Sequence, residues 1–338
     1  MTSDALKTLF HPFEAESLAA PGRNQRVLFF GAEPGFRLPE GFAADLSLIQ
    51  GFRPWFRALA GRYKVTPQPE EENFDSALVL CGRHRGENEL RIAEALERIR
   101  TGGLILVGGG KDDGIASLRK RVEKLIVPDG QMPKHHGVAF WFRRPEEISE
   151  PVAALRAGNG ETLIEGRFVV APGMFSSDRI DAGSKLLAAH LPDKISGAVA
   201  DFCAGWGYLA SELANRYPKI STLDLYEADF ASLEAAKRNV AATGTVKPRF
   251  FWHDLLTEEI LHRYDFIVMN PPFHQKREAE PDMGQRMIRA AGAALKPGGR
   301  LLMVANRQLP YEKTLAEVFS SYSEVARDGM FKVLSAKR

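Results

Sequence analysis

A strand that stops at two prolines is the feature that most constrains the fold of this chain. The apolar run Phe266–Met269 is followed directly by Asn270, Pro271, Pro272 and Phe273. Proline lacks an amide N–H and has a fixed φ, so the strand cannot continue, and Pro272 keeps Pro271 extended. The sequence therefore predicts a stiff loop at the carboxyl edge of a sheet. This loop presents one carboxamide, a backbone carbonyl and an aromatic ring, which suit an exocyclic amine on a planar base. An ordinary strand-end turn is the alternative.

A glycine-bearing turn lies upstream, between an apolar strand and a predicted helix that begins near Tyr208. The strand ends at Asp201, and Gly205 and Gly207 follow in the pattern Asp-x-x-x-Gly-x-Gly. Glycines let the backbone approach a ligand closely, and a helix N-terminus favours negative charge. The Gly-x-Gly-x-x-Gly pattern of a dinucleotide site is missing here. The turn instead fits S-adenosylmethionine (SAM), with Asp201 near its cationic amino group.

Two further acids end the next predicted strands. Glu227 follows Leu223–Tyr226, and a carboxylate there can accept both hydroxyls of a ribose. Asp254 follows Phe250–His253 and could accept from an adenine amine. Each acid alone is more often a helix cap or a loop residue. Their succession, completed by Asn270 at the fourth strand, predicts a SAM-dependent amino-methyltransferase.

The composition is that of a globular protein and adds few constraints. The chain has 338 residues, of which 44% are hydrophobic and 26% charged, a length that predicts two domains. No apolar run approaches the roughly 20 residues that span a bilayer, and the N-terminus lacks a signal-peptide pattern. Two distant cysteines, Cys81 and Cys203, make neither a disulfide framework nor a zinc site. We therefore expect a cytoplasmic protein without a metal or a membrane partner. Its net charge of +2 leaves any RNA contact to local patches.

The chain also repeats a long pattern. Phe74–Val107 and Tyr264–Ala305 both show an aromatic-Asp pair, a strand, a helix, a Gly-Gly turn and an apolar strand. The strand and turn from Arg26 to Gly35 resemble those from Val199 to Gly207. A duplicated domain explains these similarities, although any two strand–helix–strand units resemble one another. The predicted fold is α/β, with two tandem Rossmann-like methyltransferase domains whose sheets are doubly wound and mostly parallel. Their predicted bounds are 1–150 and 160–338.

The first copy has lost its chemistry in this interpretation. Cys81–Arg85 stands where the second copy has its Asn-Pro-Pro-Phe, and the turn near Gly31 contains Pro34 with no acid before it. We interpret residues 1–150 as a degenerate methyltransferase-like domain kept for folding or for RNA docking. Its basic positions could contact phosphates, although most such side chains are simply solvated. They are Arg83, His84, Arg85, Lys111, Arg119, Lys120, Arg121 and Lys124.

The segment that joins the copies predicts further elements. Glycine and proline mark a linker at 143–160, and the alternation in Glu161–Val170 predicts a hairpin. A helix then begins near Asp181 and Ser184, which either cap it or belong to a segment that closes over the cofactor. At the C-terminus we expect an antiparallel hairpin from Glu324–Arg327 and Met330–Leu334.

At this point the residues resemble a known family, the guanine-N2 rRNA methyltransferases of the RsmC and RlmG type. The resemblance covers residues 165–335. Its motifs are Gly173-Met174-Phe175-Ser176, Asp181-Ala182-Gly183-Ser184 with Leu186-Leu187, Asp201 to Gly207, Glu227, Asn270 to Phe273, Val304-Ala305-Asn306-Arg307, Leu309-Pro310-Tyr311 and Phe331-Lys332-Val333. Members pair an inactive methyltransferase-like domain with an active one. This chain departs from the family at Cys203, where glycine is usual, and its Trp206 makes the turn bulkier.

The resemblance implies methylation of a guanine N2 amine in small-subunit (16S) rRNA, the RsmC branch being favoured. In that mechanism Asn270 and the Pro271 carbonyl accept the two amine hydrogens, and Phe273 stacks on the base. The implied cofactor site contains Asp201, Gly205, Gly207, Glu227, Asp254 and Asn270, with Asp181 and Ser184. The target guanine must be single-stranded or flipped out, in free rRNA or within the small subunit, because a base inside a helix is out of reach. We expect a monomer.

Several alternatives stay open. The same chemistry could act on a 23S rRNA guanine, on adenine N6, or on a protein glutamine amide, and the tetrapeptide does not separate guanine from adenine. A non-catalytic RNA-binding protein is disfavoured by the intact Asp201, Glu227, Asp254 and Asn270. Cytosine C5 methylation by a cysteine nucleophile fails because no Pro-Cys pair ends a strand.

Overall fold

The fold consists of two compact units. A computed structural model describes residues 3–240, 246–272 and 280–338 of the chain. The first unit comprises Met1–Glu161 with Ala171–Gly173, and the second comprises Thr162–Val170 with Met174–Arg338. Each unit is built around its own sheet of seven strands.

The first unit alternates strands and helices. Its strands are β1 (Arg26–Phe30), β2 (Asp45–Ile49), β3 (Lys64–Thr66), β4 (Phe74–Leu80), β5 (Ile99–Gly110), β6 (Gly130–Lys134) and β7 (Gly137–Arg143). Its α-helices are α1 (Asp4–Glu14), α2 (Arg53–Ala60), α3 (Arg85–Arg98), α4 (Ile115–Glu123) and α5 (Ser149–Arg156).

Both faces of the first sheet are covered. The strand order is β3-β2-β1-β4-β5-β7-β6, with the first five strands parallel and the last two antiparallel. Alternate residues of β1 enter different cores: Leu28 and Phe30 pack in one cluster, Val27 and Phe29 in the other. Because successive side chains of a strand point to opposite faces, this division places a core on each side.

The second unit opens with a small hairpin and then repeats the arrangement. Its strands are β8 (Thr162–Ile164), β9 (Phe168–Val170), β10 (Gly197–Phe202), β11 (Ile220–Glu227), β12 (Pro248–Trp252), β13 (Tyr264–Met269), β14 (Leu295–Asn306), β15 (Ser321–Arg327) and β16 (Phe331–Lys337). Its α-helices are α6 (Ala182–Ala189), α7 (Tyr208–Arg216), α8 (Phe230–Val240), α9 (Glu280–Ala294) and α10 (Glu312–Val318).

The two sheets have the same topology. The second has the order β12-β11-β10-β13-β14-β16-β15, which matches the first strand for strand. The predicted tandem α/β fold, the hairpin at Glu161–Val170 and the C-terminal antiparallel hairpin are confirmed. The sheet order brings the ends of β10, β11 and β13 together at one carboxyl edge, where ligands bind in open α/β sheets.

The segment predicted as a linker at 143–160 is different in the structure. Helix α5 forms within it and packs against α3, with Leu155 fully buried. The sequence signal was misleading because Pro151 lies in the first turn of this helix, where proline is tolerated, while the glycines come after its end. The first compact unit accordingly extends to Glu161.

No helix among the described residues is both long enough and apolar enough to span a membrane.

Candidate active site

The Asn270 carboxamide lies directly after β13, as the proline pair predicts. Its Nδ2 donates to Ser184 Oγ at 2.7 Å and to Asp181 Oδ2 at 3.1 Å. Its Oδ1 is buried and has no hydrogen-bond partner among the described residues. A buried acceptor without a donor is unfavourable, so this oxygen is available for a hydrogen of a ligand.

Asp181 and Ser184 belong to the N-terminus of α6. Asp181 is the N-cap, and its Oδ2 accepts from the Ser184 backbone N–H at 2.8 Å. The predicted capping role of Asp181 is therefore confirmed, and the same oxygen also contacts Asn270. A contact of these two residues with the cofactor stays a prediction.

Asp201 is completely buried near the end of β10. Neither of its carboxylate oxygens has a hydrogen-bond partner among the described residues. Burial raises the pKa of the Asp201 carboxyl well above its usual range; the Ala210 backbone opposes this shift and Glu227 adds to it. An isolated carboxyl in such a position is stabilised in its charged form by a cation or by new donors.

Glu227 ends β11 and holds the glycine turn. Its Oε2 accepts from the Gly205 N–H at 2.7 Å and its Oε1 from the Asp229 N–H at 2.8 Å. Burial raises the pKa of this carboxyl from 4.5 to about 7, although the backbone donors, that of Asp229 first, oppose the shift. Each carboxylate oxygen has a second lone pair, so Glu227 can still accept from a ligand.

The two glycines of the turn serve different purposes. Gly205 has φ +54°, and a Cβ there would meet nothing within 4 Å, so open space adjoins it. Gly207 has φ +91°, and a Cβ there would lie 2.7 Å from Val240 and 3.2 Å from Ala236 of α8. Packing against α8 therefore suffices to require glycine at 207.

Cys203 adopts the left-handed conformation, with φ +60°. Its Sγ lies 3.8 Å from Met287 Sδ, and burial raises the pKa of the thiol well above its usual range. The backbone geometry explains why glycine suits this position, since a side chain there adds strain. The thiol is an inert packing group in this environment.

Asp254 is buried at the start of a turn. Its Oδ1 accepts from the Leu256 N–H at 3.0 Å, and its Oδ2 accepts from the Thr257 hydroxyl. The capping alternative for Asp254 is thus present in the structure. Its role toward an adenine amine stays a prediction.

Two residues stabilise the turn in ways that the sequence did not predict. The Trp206 Nε1 donates to the Phe175 carbonyl at 2.9 Å, and its ring lies 5.2 Å from that of Phe168. Asn239 of α8 bonds both backbone groups of Val169 and donates to the Trp206 carbonyl at 2.8 Å. No local pattern marks Asn239, because its partners are far away in the sequence.

Pro271 is buried and Pro272 is exposed at the end of β13. The predicted acceptor role of the Pro271 carbonyl is untested. Phe273, the predicted stacking ring, lies outside the described residues.

These residues fit SAM as the cofactor. No basic side chain of the described residues is among the main influences on the pKa of Asp201 or Glu227, and the cofactor is a cation. Open space at Gly205 adjoins the same turn. The two carboxyl groups and the open space at Gly205 therefore lie together at the carboxyl edge of the second sheet.

The chain was then compared with known proteins. Residues 165–335 match the model of the methyltransferase small domain. Ribosomal RNA small subunit methyltransferase C of Salmonella typhi is 30% identical over 318 residues, covering 91% of both chains. The Escherichia coli K12 protein of the same name is 31% identical over 273 residues, covering 80% of this chain and 78% of that one.

The chain belongs to the ribosomal RNA small subunit methyltransferase C family. This membership confirms the predicted class I methyltransferase and its cofactor SAM. A solved structure with the same fold, a T. thermophilus 16S rRNA N2 methyltransferase in complex with AdoMet and guanosine, has a TM-score of 0.77 at 23% identity. The match covers 99% of this chain and 91% of that chain.

Proposed function

We propose that this protein methylates the exocyclic N2 amine of a guanine in 16S rRNA. One observation carries the proposal: the Asn270 Oδ1 is buried, without a partner among the described residues, and held in place from its nitrogen side. An amide oxygen so placed suits an amine hydrogen of a base. The family membership supports small-subunit rRNA as the substrate.

The chemistry follows from the weakness of the nucleophile. The lone pair of a guanine N2 is delocalised into the ring, so the amine has to be held with that lone pair directed at the methyl group. The Asn270 Oδ1 and the Pro271 carbonyl accept its two hydrogens, and Phe273 stacks on the ring. These acceptors stabilise the positive charge that develops on nitrogen, and positioning provides most of the remaining acceleration. SAM, when bound, supplies the electrophilic methyl group.

The cofactor site uses the carboxyl ends of the neighbouring strands β10, β11 and β12. Asp201 compensates the ammonium group, Glu227 accepts the ribose hydroxyls and Asp254 accepts the adenine amine, while Gly205 and Gly207 shape the turn. The unused lone pairs of Glu227 and Asp254 support these roles, since hydrogen bonds within the protein leave each oxygen a second acceptor site.

The substrate guanine is single-stranded or flipped out, since its amine takes part in base pairing inside a helix. Among its described residues the first unit has Leu80 at the position of Asn270 and therefore no matching side-chain acceptor there, and we assign the unit to folding or RNA docking through its basic positions. The protein acts as a cytoplasmic monomer.

The test uses 16S rRNA from a strain that lacks the gene. Purified protein and labelled SAM are added, and the digested nucleosides are identified by mass spectrometry, with Asn270→Ala as the background control. We expect N2-methylguanosine at one position. N6-methyladenosine would overturn the guanine assignment, and exclusive labelling of 23S rRNA would overturn the assignment to the small subunit.

A further inference from the structure

The orientation of the Asn270 carboxamide decides whether the site can accept an amine. The two ends of a carboxamide are similar in shape but opposite in hydrogen bonding. With Oδ1 toward the substrate the site accepts hydrogens, and with Nδ2 there it repels the same amine. The loop after β13 fixes the backbone but leaves this choice of orientation to the neighbouring side chains.

Asp181 supplies the discriminating contact. A carboxylate oxygen is only an acceptor, and the Asp181 Oδ2 faces Asn270 Nδ2 at 3.1 Å. In the flipped orientation two oxygens would meet without a hydrogen between them. Ser184 Oγ accepts from the same nitrogen at 2.7 Å, but a hydroxyl could also donate to a flipped amide. Asp181 therefore selects the orientation and Ser184 strengthens it.

The helix α6 fixes Asp181 in turn. The same Oδ2 accepts from the Ser184 backbone N–H at 2.8 Å, so capping the helix and orienting the amide are one arrangement. A Cβ at Gly183 would lie 3.1 Å from this Oδ2 and 3.3 Å from the Phe331 ring, so glycine at 183 leaves the space in which the Asp181 carboxylate lies.

We infer that Asp181 and Ser184 are positioning residues, which act on methyl transfer through Asn270 by keeping its Oδ1 directed at the substrate amine. This inference rests on the proposed function. It assigns to the N-terminus of α6 a role in the chemical step, in addition to capping.

The first measurement is a double-mutant cycle on kcat. Ser184→Ala should lower kcat about tenfold, and Asp181→Ala about 10–100-fold, as expected when a preorganised group loses its support. Asp181→Asn keeps an acceptor oxygen and a good N-cap, so it should recover most of the loss. In the Asn270→Ala background both alanine substitutions should have little further effect. Additive losses in the double variants would overturn the inference, because they would show a role independent of Asn270.

The matched control is Ser3→Ala. Ser3 caps α1, the helix that precedes the first sheet as α6 precedes the second, and its side chain accepts from the Leu6 N–H at 3.3 Å. This variant also loses a cap but has no amide to orient, so its kcat should stay unchanged. A similar loss of kcat in Ser3→Ala would assign the effect to general destabilisation.

The second measurement is independent of activity. The side-chain amide hydrogens of Asn270, identified by their absence in Asn270→Ala, are followed by NMR without cofactor or RNA. Ser184→Ala and Asp181→Ala should shift these signals and speed their exchange with water. Unchanged signals would overturn the positioning role. If the wild type instead shows protected signals but no guanine methylation, the proposed function fails while the contact stands.

Discussion

The two sheets of this protein have one topology and different carboxyl edges. In the first, the β1–β4 and β1–β2 registers put Phe29, Gln50 and Leu80 where the second has Asp201, Glu227 and Asn270. The sequence pattern places Cys81 at the position of Asn270, but the strand register places Leu80 there, one residue earlier. Two of the three polar positions are thus apolar in the first sheet. A duplicated fold can lose a site by completing its core.

The remaining space in the first copy is filled by its own side chains. Phe29 packs edge-on against Phe10 and Phe36, with ring centroids 5.9 and 5.5 Å away. The buried Gln50 donates to the Ala32 carbonyl at 2.7 Å and accepts from the backbone of Phe52, so its amide is satisfied locally.

Arg91 reaches the turn of the first copy. Its Nη1 donates to the Leu80 carbonyl at 2.9 Å, and a Cβ at Gly31 would lie 2.5 Å from it. A guanidinium thus lies beside the turn that corresponds to the cofactor turn of the second copy. The comparison supports the prediction that the ligand binds at the second edge, where Asp201 and the Asn270 Oδ1 have no partner among the described residues.

The largest expected difference concerns the paired substitutions Asn270→Ala and Leu80→Ala. Asn270→Ala should lower methyl transfer by roughly 10²–10³ while SAM binding changes little, since one preorganised acceptor is lost. Leu80→Ala should instead reduce the free energy of unfolding by about 2–5 kcal/mol and leave transfer per folded molecule unchanged. Single-turnover kinetics and chemical denaturation measure the two effects. Near-wild-type transfer by Asn270→Ala would refute the mechanism.

The second pair is Glu227→Ala and Gln50→Ala. Loss of the charged ribose acceptor should weaken SAM binding by about 1.5–3 kcal/mol, which is about 10–150-fold in Kd. Gln50→Ala should not change it, and titration calorimetry should find one SAM site per chain. Retained SAM affinity in Glu227→Ala would show that this residue is not part of the site. A second SAM site per chain would contradict the prediction that only the second copy binds the cofactor.

The third prediction is a pH dependence of cofactor binding. Burial raises the pKa of Glu227 to about 7 in the free protein, and the charge of the nearby Asp229 adds to the shift. Below that pH the Glu227 carboxyl is protonated and accepts the ribose hydroxyls less well, so SAM affinity should fall as the pH decreases below 7, by at most about tenfold per pH unit. Binding at pH 6 should release protons, which calorimetry in buffers of different ionisation enthalpy detects. Glu227→Gln should reduce this dependence, and a flat profile in the wild type would contradict the assignment.

The same shift has a consequence for stability. A carboxyl whose pKa is raised on folding holds its proton more tightly in the folded state than in the unfolded chain. Glu227 therefore reduces the free energy of unfolding as the pH rises from 4.5 to about 7. SAM should counteract this loss, because it binds the folded state.

The smallest expected effect concerns the turn itself. Cys203→Gly relieves the strain of a left-handed non-glycine residue, which is about 1–2 kcal/mol. Glycine also makes the unfolded chain more flexible, which favours unfolding by about 0.5–1 kcal/mol. The free energy of unfolding should therefore rise by about 1 kcal/mol or less. Gly31→Ala in the first copy should be clearly destabilising, because its Cβ would meet the Leu80 carbonyl oxygen at 2.9 Å. Thermal denaturation compares the two. Equal effects would show that the turns do not differ in packing.

The two sheets and the position of the candidate site residues at one sheet edge could be predicted from the sequence. Strand ends, the Gly-Gly pattern and the proline pair predicted both sheets and put Asp201, Glu227 and Asn270 at one edge. Helix α5 was missed because Pro151 lies in its first turn and glycines follow it, a composition typical of a linker. The hydrogen bonds of Asn239 to Val169 and Trp206 were missed because these partners lie 70 and 33 residues away in the sequence.

The sequence by itself determined the order of the elements and the residue types at the strand ends, because hydrophobic periodicity, prolines and glycines act on the local backbone. Only the tertiary structure decided which polar atoms remain unpaired. Asp181 and Asn270 are 89 residues apart, and their contact arises because α6 packs against the sheet beside the end of β13. Hydrogen bonds between distant residues depend on register and helix placement, which are properties of the packed chain, and they leave the Asn270 Oδ1 without a partner among the described residues.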